Sequence, residues 1–145
     1  MNTKQSDKNA SIELLLRKLC FIIKQNGREL LSDFNMTPPQ FNALQIIISE
    51  GEITISELSN KLYLAPSTIT DIIDRMEKNN LVKRTRDTKD RRVVNVKAVE
   101  KGHSLINDVI KKRVDFIKKH SSELSIEDKE NLIKYLSSII NSYNK

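Results

Sequence analysis

Apolar side chains recur along this chain at spacings of three and four, a rhythm that predicts helix over most of its length. In residues 11–33 they are Ile12, Leu15, Leu16, Leu19, Ile22 and Ile23, with Gly27 a soft point near the end. A second helix starts in the run TPPQ. Thr37 can cap it, Pro38 suits the first helical position, where an N–H has no partner anyway, and Gln40 can close a capping box. Phe41, Leu44, Ile47 and Ile48 form its inward stripe, and Gly51 is a natural stop. The run TISE repeats the start signal with Thr54 and Glu57, opening a short helix that turns Ile55, Leu58 and Leu62 inward. Pro66 begins the next helix, expected over residues 66–80, with Ile69, Ile72, Ile73 and Met76 as one stripe and Asn79-Asn80 as its end.

The rhythm then changes. Residues 81–86 alternate apolar and basic side chains, and residues 92–97 contain Val93, Val94, Asn95 and Val96, so both read as strands of a small hairpin. Helical spacing resumes over residues 100–119, where Leu105, Ile106, Val109, Ile110, Val114 and Ile117 are expected to be buried. Ser125 caps a last helix, in which Leu132, Ile133, Leu136, Ile139, Ile140 and Tyr143 share a face. The fold class that follows is mainly α with a small β wing: a winged helix-turn-helix over residues 36–98. The flanking helices, residues 11–33 and 100–143, are longer and more apolar than a unit of that size needs. At 145 residues the chain is expected to form a single domain.

Charge sharpens this picture. The net charge is +6, and residues 81–92 hold six bases against two acids, so much of the excess sits at the hairpin and an acidic partner is plausible. The one cysteine, Cys20, allows no internal disulfide. No apolar run reaches the roughly 18 residues of a membrane span, and the polar start MNTKQSDKNAS lacks the core of a secretion signal. A soluble cytoplasmic protein with no membrane contact is the expectation. His103 and His120 have no companion at ligand spacing, and neither a Gly-rich phosphate loop nor a nucleophile–base set stands out. No metal, cofactor or enzymatic activity is therefore expected.

The helix over residues 66–80 carries the candidate chemistry. Opposite its apolar stripe lie Ser67, Thr70, Asp71, Asp74 and Lys78, with Thr68 and Arg75 on a flank. Small hydroxyl residues in a first turn let a helix approach a DNA groove closely, and a helix N-terminus attracts phosphate. Asp74 could pair with Lys78 and Asp71 with Arg75, or either acid could accept from a cytosine amino group; the sequence leaves these open. In the hairpin, Arg84, Arg86, Lys89, Arg91 and Arg92 offer the positive charge a duplex attracts, with Lys89 and Arg91 at the tip able to enter a minor groove. Asp90 is expected to orient Arg92 rather than to touch DNA.

The stretch ISELSNKLYLAPSTITDIIDRMEKNNLVKRTRDTKDRRVVNV resembles the DNA-binding core of the MarR (multiple antibiotic resistance regulator) family, above all in LSNKLYL, STITDIIDRMEKNNLV and the wing signature DTKDRRVV. The resemblance implies a homodimeric winged helix whose interlaced terminal helices form the interface. It also implies a recognition helix at residues 66–80 with Ser67, Thr68 and Thr70 near the bases. Arg75 becomes the arginine of the family's D-R pair, and Asp90 and Arg92 the wing pair. After the wing the family usually shows Leu-Thr, two residues, then Gly; here the run is Ala98, Val99, Glu100, Lys101, Gly102. Val99 cannot cap as Thr would, which predicts a looser join.

Leu19-Cys20-Phe21 with Arg28-Glu29 resembles the organic-hydroperoxide-sensing branch of that family, where a first-helix cysteine is the oxidised switch. Lys24 stands where that branch has a tyrosine. A lone cysteine on an apolar helix face is ordinarily a small buried hydrophobe, so Cys20 is a candidate redox site against that plainer reading. The expected function is a dimeric, sequence-specific regulator of transcription, a repressor released by a small ligand or by oxidation. It would bind a pseudo-palindromic duplex. The alternative is a winged-helix module that docks its basic wing on an acidic protein.

Overall fold

The computed structural model describes residues 3–145 and places helix almost wherever apolar spacing predicts it. Helix α1 spans Thr3–Asp33, starting eight residues before the apolar pattern does. Residues 4–9 are polar and exposed; nothing in them breaks a helix, and nothing apolar advertises one. The turn that follows passes through Asn35, held at φ 54°. Helix α2 (Pro38–Glu50) begins with the full reciprocal capping box of Thr37 and Gln40 and ends at Gly51, whose φ of 78° suits glycine.

Strand β1 (Ile53–Thr54) is two residues long and was not readable from spacing. Thr54 also caps α3 (Ile55–Leu62), again with both hydrogen bonds of the box, now to Glu57. Helix α4 covers Pro66–Lys78; Asn79 and Asn80 lie outside it, because Asn80 turns left-handed (φ 60°). The wing strands are β2 (Val82–Arg86) and β3 (Val94–Ala98). With β1 they form an antiparallel sheet in the order β1-β3-β2, with Arg84 opposite Val96, Arg86 opposite Val94 and Ile53 opposite Val96. Helix α5 (Glu100–His120) and helix α6 (Ile126–Tyr143) complete the chain.

The chain divides after Ile110 into two compact units. In the first, Phe41, Leu44, Ile47, Leu58, Ile69, Ile73, Met76, Val82, Val96, Ile106 and Val109 form the core, joined by Leu31 and Met36 from the α1–α2 turn. Sheet and helices therefore grip α4 along its apolar stripe and leave Ser67, Thr68, Asp71 and Lys78 exposed.

The join from sheet to α5 is tight, against expectation. Val99 donates its N–H to the Leu81 carbonyl (3.0 Å), and its own carbonyl accepts from Gly102 (2.9 Å) and His103 (3.2 Å), so the backbone does the work of the missing threonine. Gly102 is pressed against the Leu81 carbonyl so closely that a Cβ would collide with it.

Two burial expectations fail. In α5 only Ile106 and Val109 of the stripe are buried; Ile110, Val114 and Ile117 are exposed. The second unit, Lys111–Lys145, holds α6, opened by a Ser125–Asp128 capping box, and α6 buries no residue. Along α1, Ile12, Leu15, Leu19, Ile22 and Ile23 are likewise exposed in the single chain, and so is Cys20. These stripes are formed as the spacing predicts, and their side chains are exposed among the described residues.

Candidate nucleic-acid interface

Helices α3 and α4 make the helix-turn-helix. Tyr63 ends α3 in the left-handed conformation (φ 53°), and the turn is pinned by the Ser59 hydroxyl donating to the Leu64 carbonyl (2.5 Å). Helix α4 then starts differently from its neighbours. α2, α3 and α6 each have a side chain bonded to their first-turn amides, whereas the cap of α4 is Ala65, which offers none. Pro66 has no N–H, so the amides of Ser67 and Thr68 are the ones left for an outside acceptor. The side chains of Ser67 and Thr68 are exposed. Thr70 is half-buried and donates its hydroxyl proton to the Pro66 carbonyl (2.9 Å), which leaves its lone pairs and methyl group to face outward contacts.

The acids and bases of α4 do not pair as i,i+4 spacing suggests. Asp74 and Glu77 both reach Arg84 on β2: the guanidinium lies 2.5 Å from Asp74 Oδ1 and 3.3 Å from Glu77 Oε1. Glu77 Oε2 also accepts the backbone N–H of Arg84 (2.8 Å). Strand alternation is the reason. Val82 and Arg84 point to the same side, and Val82 is in the core, so Arg84 is directed at α4. Burial of Arg84 by itself lowers its pKa, but the hydrogen bonds it donates to both carboxylates, with their charge, outweigh this and raise it above the usual arginine value. Arg84 thus ties the wing to α4 through its Nη2. The side chains of Asp71, Arg75 and Lys78 are exposed and have no ion-pair or hydrogen-bond partner among the described residues.

The wing tip is ordered by its acids. Asp87 Oδ1 accepts the backbone N–H groups of Lys89 (2.7 Å) and Asp90 (3.3 Å), a local turn that short acidic side chains make readily. Across the tip, Asp87 N–H donates to the Val93 carbonyl (3.0 Å) and Val93 N–H to the Asp90 carbonyl (3.0 Å). Asp90 accepts twice from the Arg92 guanidinium (3.1 and 3.2 Å) and once from its backbone, which holds the Asp90 carboxyl below its ordinary range. Arg86 donates to the Arg91 carbonyl (3.1 Å). Lys89 and Arg91 remain exposed. Between α4 and the wing lies a cleft of about 390 Å³ bordered by Thr70, Arg84, Arg86 and Val94.

Most predicted site residues therefore gather around α4 and the wing: Ser67, Thr68, Thr70 and Asp71 on the helix, Arg86 beside it, and Lys89, Asp90, Arg91 and Arg92 at the tip. Arg75 and Lys78 sit at the far, C-terminal end of α4, by the α1–α2 turn. Glu77 was not singled out in the sequence; the signal available was its place after Met76 on the flank of the buried stripe, next to β2. Among the described residues no group of three or more His, Cys, Asp or Glu could hold a metal ion, and no helix is long and apolar enough to cross a membrane.

Comparison with known proteins agrees with this geometry. The MarR family model matches residues 36–94. An uncharacterised HTH-type transcriptional regulator of Bacillus subtilis, YsmB, is 48% identical over 118 residues, 81% of either chain. The B. subtilis HTH-type transcriptional repressor MdtR is 30% identical over 119 residues, 82% of this chain and 77% of its own. A solved MarR family protein from Bacillus stearothermophilus superposes with a TM-score of 0.86 at 41% identity, covering 100% of this chain and 99% of that one. On these grounds the chain belongs to the MarR family of winged-helix transcription regulators.

Proposed function

We propose that the chain is a homodimeric, sequence-specific repressor that binds a pseudo-palindromic duplex and is released by a small ligand or by oxidation. The observation that carries the reading is the uncapped start of α4, with exposed Ser67 and Thr68, beside a wing tip whose acids are consumed in ordering its own loop while Lys89 and Arg91 stay exposed. Helix amides and hydroxyls suit phosphates and base edges in a major groove, and the Thr70 methyl group suits an apolar contact with a thymine methyl. Lys89, Arg91 and Arg92 suit the adjacent phosphates or minor groove. Arg84 supports this as the residue that fixes the angle between helix and wing. The repressor sense is supported by the similarity to MdtR, which is named a repressor. The position of Cys20 in α1, within the match to the hydroperoxide-sensing branch, supports oxidation as a release route.

A twofold dimer reads half-sites about one helical turn apart, roughly 34–36 Å. The test is fluorescence anisotropy on the duplex flanking the gene, with a scrambled duplex as control, across a salt series. The expected result is preference for the inverted repeat and a steep fall with salt, with Arg91→Ala lowering the log–log slope by about one unit per protomer. Equal binding to both duplexes would instead favour a module that docks its wing on an acidic protein.

A further inference from the structure

We infer, resting on the DNA-binding reading above, that Tyr63 in the turn between α3 and α4 is a further DNA contact. Its ring lies against the sugar–phosphate backbone beside the point where α4 enters the groove, and its hydroxyl donates to a phosphate oxygen. Two independent features single the residue out. The first is its backbone. Among the described residues three other than glycine have positive φ, and two of them, Asn35 and Asn80, are asparagines, which tolerate the left-handed region. Tyr63 (φ 53°, ψ 38°) is the exception, and a bulky side chain is strained there. The turn imposes this conformation. Ser59 is only 7% exposed, its carbonyl accepts the N–H groups of Tyr63 and Leu64, and its hydroxyl donates to the Leu64 carbonyl. Glycine would meet the same geometry without strain.

The second feature is the side chain. Tyr63 is 94% exposed, whereas every other aromatic or branched aliphatic side chain of residues 36–98 is buried or half-buried. The ring therefore adds almost nothing to the core, and nothing in the fold offsets the strain of its backbone. Position decides what the ring meets. Helix α3 ends at Tyr63, and α4 starts at Pro66 after Ala65, the cap that leaves the first-turn amides open. In a docked helix-turn-helix the first helix crosses the DNA backbone and the second enters the major groove by its N-terminal turn, so the joining turn sits at the groove's edge. Tyrosine is among the side chains that hydrogen-bond phosphate, and its ring, with few rotatable bonds, loses little freedom on being held.

Three variants of the full chain test this on the inverted-repeat duplex. Tyr63→Gly is expected to move two readouts in opposite directions. The thermal midpoint of the free protein should rise by about 2–4 °C as strain is relieved. Affinity for the duplex should fall about tenfold. Tyr63→Phe should keep the midpoint and weaken binding about three- to fivefold with an unchanged salt slope, because a hydroxyl displaces no counterion. Tyr63→Trp supplies the chain's one tryptophan, whose fluorescence should be open to acrylamide in the free protein and shielded on the duplex. A stabilised Tyr63→Gly that binds as tightly as the parent would overturn the inference, as would an indole equally open with and without duplex. Either result leaves the repressor reading standing. A lowered midpoint in Tyr63→Gly, or an indole already shielded in the free protein, also overturns it, since the ring would then be covered by protein. A parent chain that binds neither the repeat nor the scrambled duplex overturns both readings together.

Discussion

Gly102 shows how a single residue can be required for its size alone. Its Cα lies against the Leu81 carbonyl, with Leu44 Cδ1 3.4 Å from where a Cβ would stand. Backbone cannot rotate away as a side chain can, so Gly102→Ala must push α5 off the sheet. A loss of about 1–3 kcal/mol in chemical denaturation is expected, despite alanine's better helix propensity; a variant as stable as the parent would show that the join is slack. Residue-scale features were legible in the sequence where they depend on neighbours a few positions away. The boxes at Thr37 and Thr54, the stop at Gly51 and the Asp90–Arg92 pair are of this kind. The partners of Asp74 were not legible, because i,i+4 pairing is worth only a few tenths of a kcal/mol and a strand arginine aimed at the helix competes with it.

At the scale of elements, the seam between α4 and β2 sets the geometry of the interface. Arg84 is bonded by two carboxylates of α4, and Glu77 adds a bond to its backbone. The Arg84 side chain is 30% exposed and Glu77 38%, so solvent screens part of the ion pair. Glu77→Ala is expected to cost about 1–2 kcal/mol of stability. It should also weaken discrimination between the inverted repeat and a scrambled duplex, since helix and wing would no longer be held at one angle. A variant that lost stability but kept its discrimination would show that the seam does not set that angle. The hairpin and every helix were legible as elements from their periodicity. The start of α1 and the two-residue β1 were not, the one lacking an apolar pattern and the other lacking length.

At the scale of the whole molecule, the sequence announced more apolar helix than one chain buries. Ile12, Leu15 and Ile22 on α1, Val114 and Ile117 on α5, and Ile133, Ile139 and Ile140 on α6 all lie exposed. Patches of this kind mark association surfaces. The proposed dimer is expected to sediment as such, and its thermal midpoint should rise with protein concentration. Each tenfold dilution should remove about 1.4 kcal/mol of stability per dimer. Ile133 is 65% exposed, so Ile133→Asp should leave the lone chain folded while shifting sedimentation to the monomer. A concentration-independent midpoint would count against obligate dimerisation. The partner of these helices could not be read from spacing, which records that a face is apolar but not what lies upon it.

Leu81 meets three elements at one peptide. Its N–H is held by the Met76 carbonyl at the end of α4 (2.9 Å), its carbonyl holds Val99, and Gly102 of α5 abuts that same oxygen. A shift of the first turn of α5 towards the sheet would therefore press on that one peptide, which is bonded in turn to the end of α4.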